Sequence, residues 1–132
     1  MPHKSGDADN PQTWLKNAIS DLRLSRIELP EGVMYEQLCF HAQQAAEKSI
    51  KALLLYLDIK FTLTHSIQLL ISLLPPEFQS LSVIKEAVIL TPYAVLTRYP
   101  GEMEPVTAKK HSEAVMIATC AVEWIQAYIN KN

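Results

Sequence analysis

From the N-terminus onward, the first regular alternation of apolar and polar positions begins at Asn10-Pro11. Leu15, Ala18, Ile19, Leu22 and Leu29 recur at helical spacing, with Trp14 beside them. Asn10 suits an N-cap, and proline suits the first helical position, where its missing N–H costs nothing. The pattern predicts a helix from about Pro11 to Glu28, broken by LPEG at 29–32. A second and longer helix is predicted from about Met34 to Asp58. Leu38, Ala42, Ala45, Ala46, Ser49, Leu53 and Tyr56 fall on one face of it, and Gln37, His41, Gln44, Lys48 and Lys51 form a line down the other. Glu36, Gln43 and Glu47 widen that polar side, and Phe40 stands in its middle. The expectation is a helix that packs by one face and presents the other, with Phe40 exposed.

Three more helices follow. Thr64-His65 opens a short one, SIQLLISLL, which Pro75-Pro76 stops because two prolines cannot continue the hydrogen-bond ladder. A fourth is predicted from about Glu77 towards Leu90, with Leu81, Ile84, Val88 and Leu96 as candidate core positions and Pro92 ending it near Thr91. TRYPGEMEP at 97–105 reads as an irregular link. The last helix covers about Thr107 to Asn130. His111, Ala114, Ala118, Ala121, Ile125 and Tyr128 share its apolar stripe, widened by Val115, Val122 and Ile129. With no strand alternation and no internal repeat, the fold class is all-α: an antiparallel up-and-down bundle of about five helices. The expected organisation is a disordered polar lead-in over 1–9 and a single helical domain over 10–132.

Composition narrows the class. A chain of 132 residues holds one core without disulfides, and nearly balanced charge (net −2) lacks the basic excess of a general nucleic-acid binder. Cys39 and Cys120 lie far apart with no CxxC, the pattern of two small buried thiols in a reducing cytosol. No apolar run approaches a membrane span and no signal-peptide core is present, so the expected location is cytoplasmic and no membrane contact is expected.

Most catalytic signatures are missing: the chain has no Walker A loop, GxGxxG, GxSxG or HExxH. Its four histidines are scattered, so no metal site and no cofactor are expected. His111 lies on an apolar stripe and reads as a partly buried, hydrogen-bonded histidine. His65 either caps its helix or belongs to a site. Arg98, beside Tyr99 and ahead of a Pro-Gly loop, suits phosphate and base contact. Lys48, Lys51, His65, Arg98 and Tyr99 are therefore the candidate ligand-binding residues, and Gln37, Phe40, His41 and Gln44 the candidate interface.

FHAQQAAEKSIKALL at 40–54, His65 ahead of a Leu-rich helix and TRYPG at 97–101 together resemble the HEPN domain, as do Trp14-Leu15, Ala18 and Asp21-Leu22 in the first helix. The resemblance spans roughly residues 12–129. It implies a helical bundle that forms a homodimer and works with a small nucleotidyltransferase protein as a toxin–antitoxin-like pair, binding nucleotide or RNA. Other members of that family are metal-independent ribonucleases that use an Arg and a His four to six residues apart. Here Arg98 is followed at 103–105 by Met103, Glu104 and Pro105, and the next histidine is His111. A binding module without catalysis is the first reading. The alternative is a ribonuclease in which Arg98 recruits His65 or His111 through space.

Overall fold

The computed structural model describes residues 8–95 and 104–131. Three long helices carry the fold: α1 (Pro11–Arg26), α2 (Tyr35–Tyr56) and, last in the chain, α6 (Ala108–Lys131). Between α2 and α6 run the short helices α3 (Ile67–Ser72), α4 (Pro76–Gln79) and α5 (Ser82–Lys85), then a 3-10 segment, Glu86–Ala94. No strand occurs among the described residues. The all-α helical bundle is thus the observed fold. Most of the lead-in expected over 1–9 lies outside the described residues. Ala8 is within them, and its carbonyl accepts from the Trp14 indole N–H at 2.8 Å.

Local chemistry sets the ends of α1 and α2. Asn10 caps α1, its side-chain oxygen accepting from the Gln12 amide at 2.9 Å, while Arg23 and Arg26 place positive charge on the last turn. α2 ends in a left-handed cap. Asp58 takes φ +62°, its N–H reaches the Leu55 carbonyl at 3.0 Å, and the Ile59 N–H reaches the Leu54 carbonyl at 2.8 Å. Glycine is the usual occupant of that position, and here an aspartate holds it.

Side-chain contacts fix how the long helices run. Trp14 lies over Lys51 while Asp21 meets His41 and Lys48, so α1 and α2 are antiparallel. Gln12 bonds Asn130 and Arg26 bonds Thr119, which makes α6 antiparallel to α1. Tyr35 stacks near His111 and Tyr56 near Tyr128, so α6 runs parallel to α2. The short helices and the segments that join them carry the chain back between these two parallel helices.

α2 is the centre of the bundle, in contact with α1, α3, α6 and the 3-10 segment. Ala42, Ala45, Ala46 and Ala52 are fully buried and let those neighbours approach closely, while Ile50, Leu53 and Leu54 fill the remaining space. Truncating a side chain such as Leu53 would cost about 2–5 kcal/mol, the usual range for a cavity left by a core leucine.

Several expectations need correction. α2 does not present a polar face: Gln43, Gln44, Glu47 and Lys51 are buried along with the apolar side, and Phe40 is half-buried rather than exposed. Their polar groups find partners inside the protein, so burial carries no unpaired charge. The single helix expected over 77–90 is instead α4, α5 and the 3-10 segment. Ser80 closes α4, and Pro92 sits inside the 3-10 segment, whose tighter turns tolerate it, rather than ending a helix at Thr91. Of the core positions named there, Ile84 is buried, Leu81 and Val88 are half-buried, and Leu96 lies outside the described residues. His65 does not cap α3; the hydroxyl of Ser66 does, accepting from the Leu69 amide at 3.1 Å. Cys39 is buried as expected, but Cys120 is exposed on α6. Burial, aided by the negative charge of Glu36, pushes the Cys39 thiol up to about 11. Tyr93 is likewise raised, first by burial and then by Cys39 and Glu113.

Candidate functional site

Two carboxylates organise the polar residues of α2. The first, Asp21, projects from α1 between two side chains that α2 places seven residues, about two turns, apart. Its Oδ1 accepts from His41 Nδ1 at 2.9 Å and its Oδ2 from Lys48 Nζ at 2.7 Å. All three are partly shielded, with side-chain exposures of 12% for Asp21, 24% for Lys48 and 32% for His41. The group ties α1 to α2 with both carboxylate oxygens used.

The second, Glu47, belongs to α2 itself. Gln43, Glu47 and Lys51 follow one another at four-residue spacing, so they stack along one line of the helix. Gln43 Nε2 donates to Glu47 Oε1 at 3.0 Å and Lys51 Nζ donates to Oε2 at 2.8 Å. Gln44 Nε2 in turn donates to Gln43 Oε1 at 2.8 Å, extending the chain of bonds by one residue. The Lys51 ammonium also sits over two aromatic rings, 5.3 Å from the Trp14 centroid and 5.7 Å from that of Phe61. Those rings meet edge to face at 6.0 Å and give the buried cation a second source of stabilisation. Glu47 and Lys51 are nearly inaccessible, at 2% and 5% side-chain exposure.

His65 completes this second group from the segment ahead of α3. Its Nδ1 lies 3.0 Å from Glu47 Oε1 and 3.2 Å from Oε2, yet 73% of its side chain is exposed. An ionised carboxylate only accepts, so Nδ1 carries the proton in this contact and Nε2 faces away from Glu47. The backbone around it is fixed on both sides. Thr64 Oγ1 accepts from the Ser66 amide at 3.0 Å, Ser66 caps α3, and Gln43 Nε2 reaches the His65 carbonyl at 3.5 Å. An exposed imidazole is thereby held in one orientation by a buried carboxylate, the relation by which a second group sets the tautomer of a working histidine.

The remaining candidates fall elsewhere. His111 donates from Nε2 to the Ser25 carbonyl at 2.7 Å and lies 5.0 Å from the Tyr35 ring, the partly buried, hydrogen-bonded role its stripe predicts. Lys48 and Lys51 do not form an exposed phosphate-binding line, because each is neutralised by its own carboxylate and Lys51 is buried. Gln44 is buried as well. Gln37 is half-buried with its Oε1 lacking a hydrogen-bond partner, and Phe40 sets its ring edge-on to His41 at 5.5 Å. Arg98 and Tyr99 lie outside the described residues. Sequence reasoning missed Asp21, Glu47, Trp14 and Phe61 as site residues. The Gln43–Glu47–Lys51 spacing was visible all along, but nothing local announces that Asp21 or Phe61 would meet it. Among the described residues no group of three or more His, Cys, Asp or Glu side chains could hold a metal ion, and no helix is long and apolar enough to cross a membrane.

This is an all-α bundle built around a central helix with an internal Gln–Glu–Lys ladder and an outward-facing histidine. The HEPN domain profile matches residues 11–128, nearly the whole chain. Two solved structures are similar over almost their full lengths. An archaeal HEPN homologue, ST0689, is 30% identical, with 91% of this chain and 98% of that chain covered and a TM-score of 0.69. TT1696 from Thermus thermophilus is also 30% identical, with 88% and 95% covered and a TM-score of 0.75. No curated protein matches the sequence significantly. The chain belongs to the HEPN family.

Proposed function

We propose that this protein is a HEPN binding module that works as a homodimer with a small nucleotidyltransferase protein, in a toxin–antitoxin-like pair, and takes a nucleotide as its ligand. The observation that carries the reading is His65, an exposed imidazole oriented by the buried Glu47, on a chain whose other described histidines are committed to internal contacts. His41 is spent on Asp21 and His111 on the Ser25 carbonyl. Cleavage of RNA without metal needs a group placed to take a proton from a substrate hydroxyl, and His65 is the exposed candidate among the described histidines. No histidine, however, follows Arg98 at the spacing used by the family's ribonucleases. Binding without cleavage is the function that missing spacing favours.

The test has three arms. Expressed from its own operon, the tagged protein should bring a small nucleotidyltransferase through purification. Titration calorimetry should register AMP or ATP binding to the purified protein. Incubation with single-stranded and structured RNA, without metal, should give no turnover above buffer. RNA cleavage abolished by both Arg98→Ala and His65→Ala would replace this reading with the ribonuclease one. Failure to bind either nucleotide or partner would remove it altogether.

A further inference from the structure

We infer that His65 and Glu47 form a hydroxyl-reading dyad, in which Nε2 of the neutral His65 ring accepts a hydrogen bond from a ribose hydroxyl of the bound nucleotide and Glu47 is the positioning residue that holds the ring's single proton on Nδ1. This rests on the nucleotide-binding reading above and deepens it by naming the part of the ligand that His65 addresses.

The chemistry follows from the direction of each hydrogen bond. Glu47 accepts from Gln43, Lys51 and His65, so every bond at its carboxylate points inward and none is left to reverse. A neutral imidazole has one proton, and the contact with Glu47 holds it on Nδ1. Nε2 is then an acceptor aimed away from the core. An acceptor reads donors, and the donors on a nucleotide are its ribose hydroxyls and base amines, whereas its phosphate oxygens only accept. Of the lysines that α2 itself carries, Lys51 is spent on Glu47 beneath its aromatic cover and Lys48 on Asp21, so neither is offered to a phosphate. Between hydroxyl and amine, the hydroxyl suits the place better. His65 stands at the surface on a short segment, where a sugar edge can approach from solvent without the flat, enclosed slot that a base needs.

The burial of Glu47 and Lys51 explains why an exposed residue should be held so firmly. A surface carboxylate would exchange partners with water, and the imidazole would drift between tautomers. Placed in the interior with its charge balanced by Lys51, Glu47 is shielded from competing water, so the orientation of His65 becomes a property of the folded helix.

Two measurements on the purified full-length protein test this. Heteronuclear NMR of the imidazole nitrogens near neutral pH should find His65 with its proton on Nδ1, opposite to the Nε2-protonated form that free histidine favours in water. In the double variant Glu47→Met/Lys51→Met, which removes both charges and keeps apolar volume, His65 should revert to the free-histidine tautomer. Titrations with AMP and dideoxy-AMP should then show coupling. Loss of the ribose hydroxyls and His65→Ala should each weaken binding about tenfold, the worth of one good hydrogen bond, and together weaken it no further. The Met double variant should lose a similar factor with His65 still present. Inorganic phosphate should leave the His65 Nε2 signal where it is. An Nε2-protonated His65 in the wild type, additive losses, or a phosphate-induced change would each overturn the inference. If AMP binds wild type and His65→Ala equally, the dyad is refuted while nucleotide binding stands; if AMP does not bind at all, both fall.

Discussion

The two polar groups of α2 contain the same three chemical parts, a carboxylate, a lysine and a histidine, in the same order of depth but over very different ranges. Around Asp21 the burial is graded and shallow, and both of its partners come from a helix other than the one that supplies the carboxylate. Around Glu47 the ion pair lies within one helix, four residues apart and almost wholly enclosed, while the histidine comes from outside and stands in solvent. The first arrangement is a staple between α1 and α2. The second is a buried support for one exposed ring. Identical composition thus yields a structural tie in one place and a presented imidazole in another, and what decides between them is how far the histidine stands out from the carboxylate that holds it.

Removing each carboxylate should break that comparison most sharply. Glu47→Ala strands Lys51 in the interior and should cost about 3–5 kcal/mol, the range for uncovering a buried charge. Urea unfolding should show it directly, and restoring much of the loss with Lys51→Met would confirm that the stranded cation was the cause. Asp21→Ala should cost less, about 1–2 kcal/mol, because water reaches Lys48 and His41 and can take over part of the carboxylate's role. Equal losses for the two variants would show that depth does not separate the groups.

Chemical modification sharpens the contrast from the histidine side. Diethyl pyrocarbonate should acylate His65 well before His41 or His111, since His65 is by far the most exposed of the described histidines. Mass spectrometry of digested samples would give the order, and prior modification of His41 would contradict the assigned geometry. The smallest effect is expected at the end of α2, where the chain leaves for His65. Asp58→Gly relieves a left-handed residue and should stabilise the fold by about 0.5–1 kcal/mol, leaving the tautomer of His65 unchanged.

How much of this was legible in the sequence differs by region for physical reasons. α1, α2 and α6 were placed to within about two residues, because long amphipathic periodicity and the Asn10-Pro11 start are local signals. The stretch from Pro75 to Ala94 was not, since apolar residues in short pieces carry too few turns to distinguish one helix from three. The sidedness of α2 misled for another reason. Periodicity equates polar with exposed, and here Lys51 finds Glu47 along its own helix while Lys48 and His41 find Asp21 from α1. Those last contacts are made across the fold and leave no trace in the order of residues. The sequence marks His65 as a residue of interest, but reads its partner Glu47 only as part of a polar face. Cys120 escaped for the same reason in reverse: a small apolar-looking side chain can sit on the outer side of a helix without disturbing its pattern.

The parallel course of α6 and α2 has a consequence for the order in which the molecule assembles. α1 and α2 are joined across residues 27–34 and can pair as a local hairpin, whereas α6 reaches α2 only after residues 57–107 have been spanned. Closing the longer connection costs about 1.6 kcal/mol more in chain entropy by logarithmic scaling, before any contact of α6 repays it. The first two helices, with both carboxylate groups between them, are therefore expected to form the folding nucleus onto which α6 docks late. Pulse-labelling hydrogen exchange during refolding should protect the amides of α1 and α2 ahead of those of α6. His65 would then acquire its support early, before the bundle that surrounds α2 is complete.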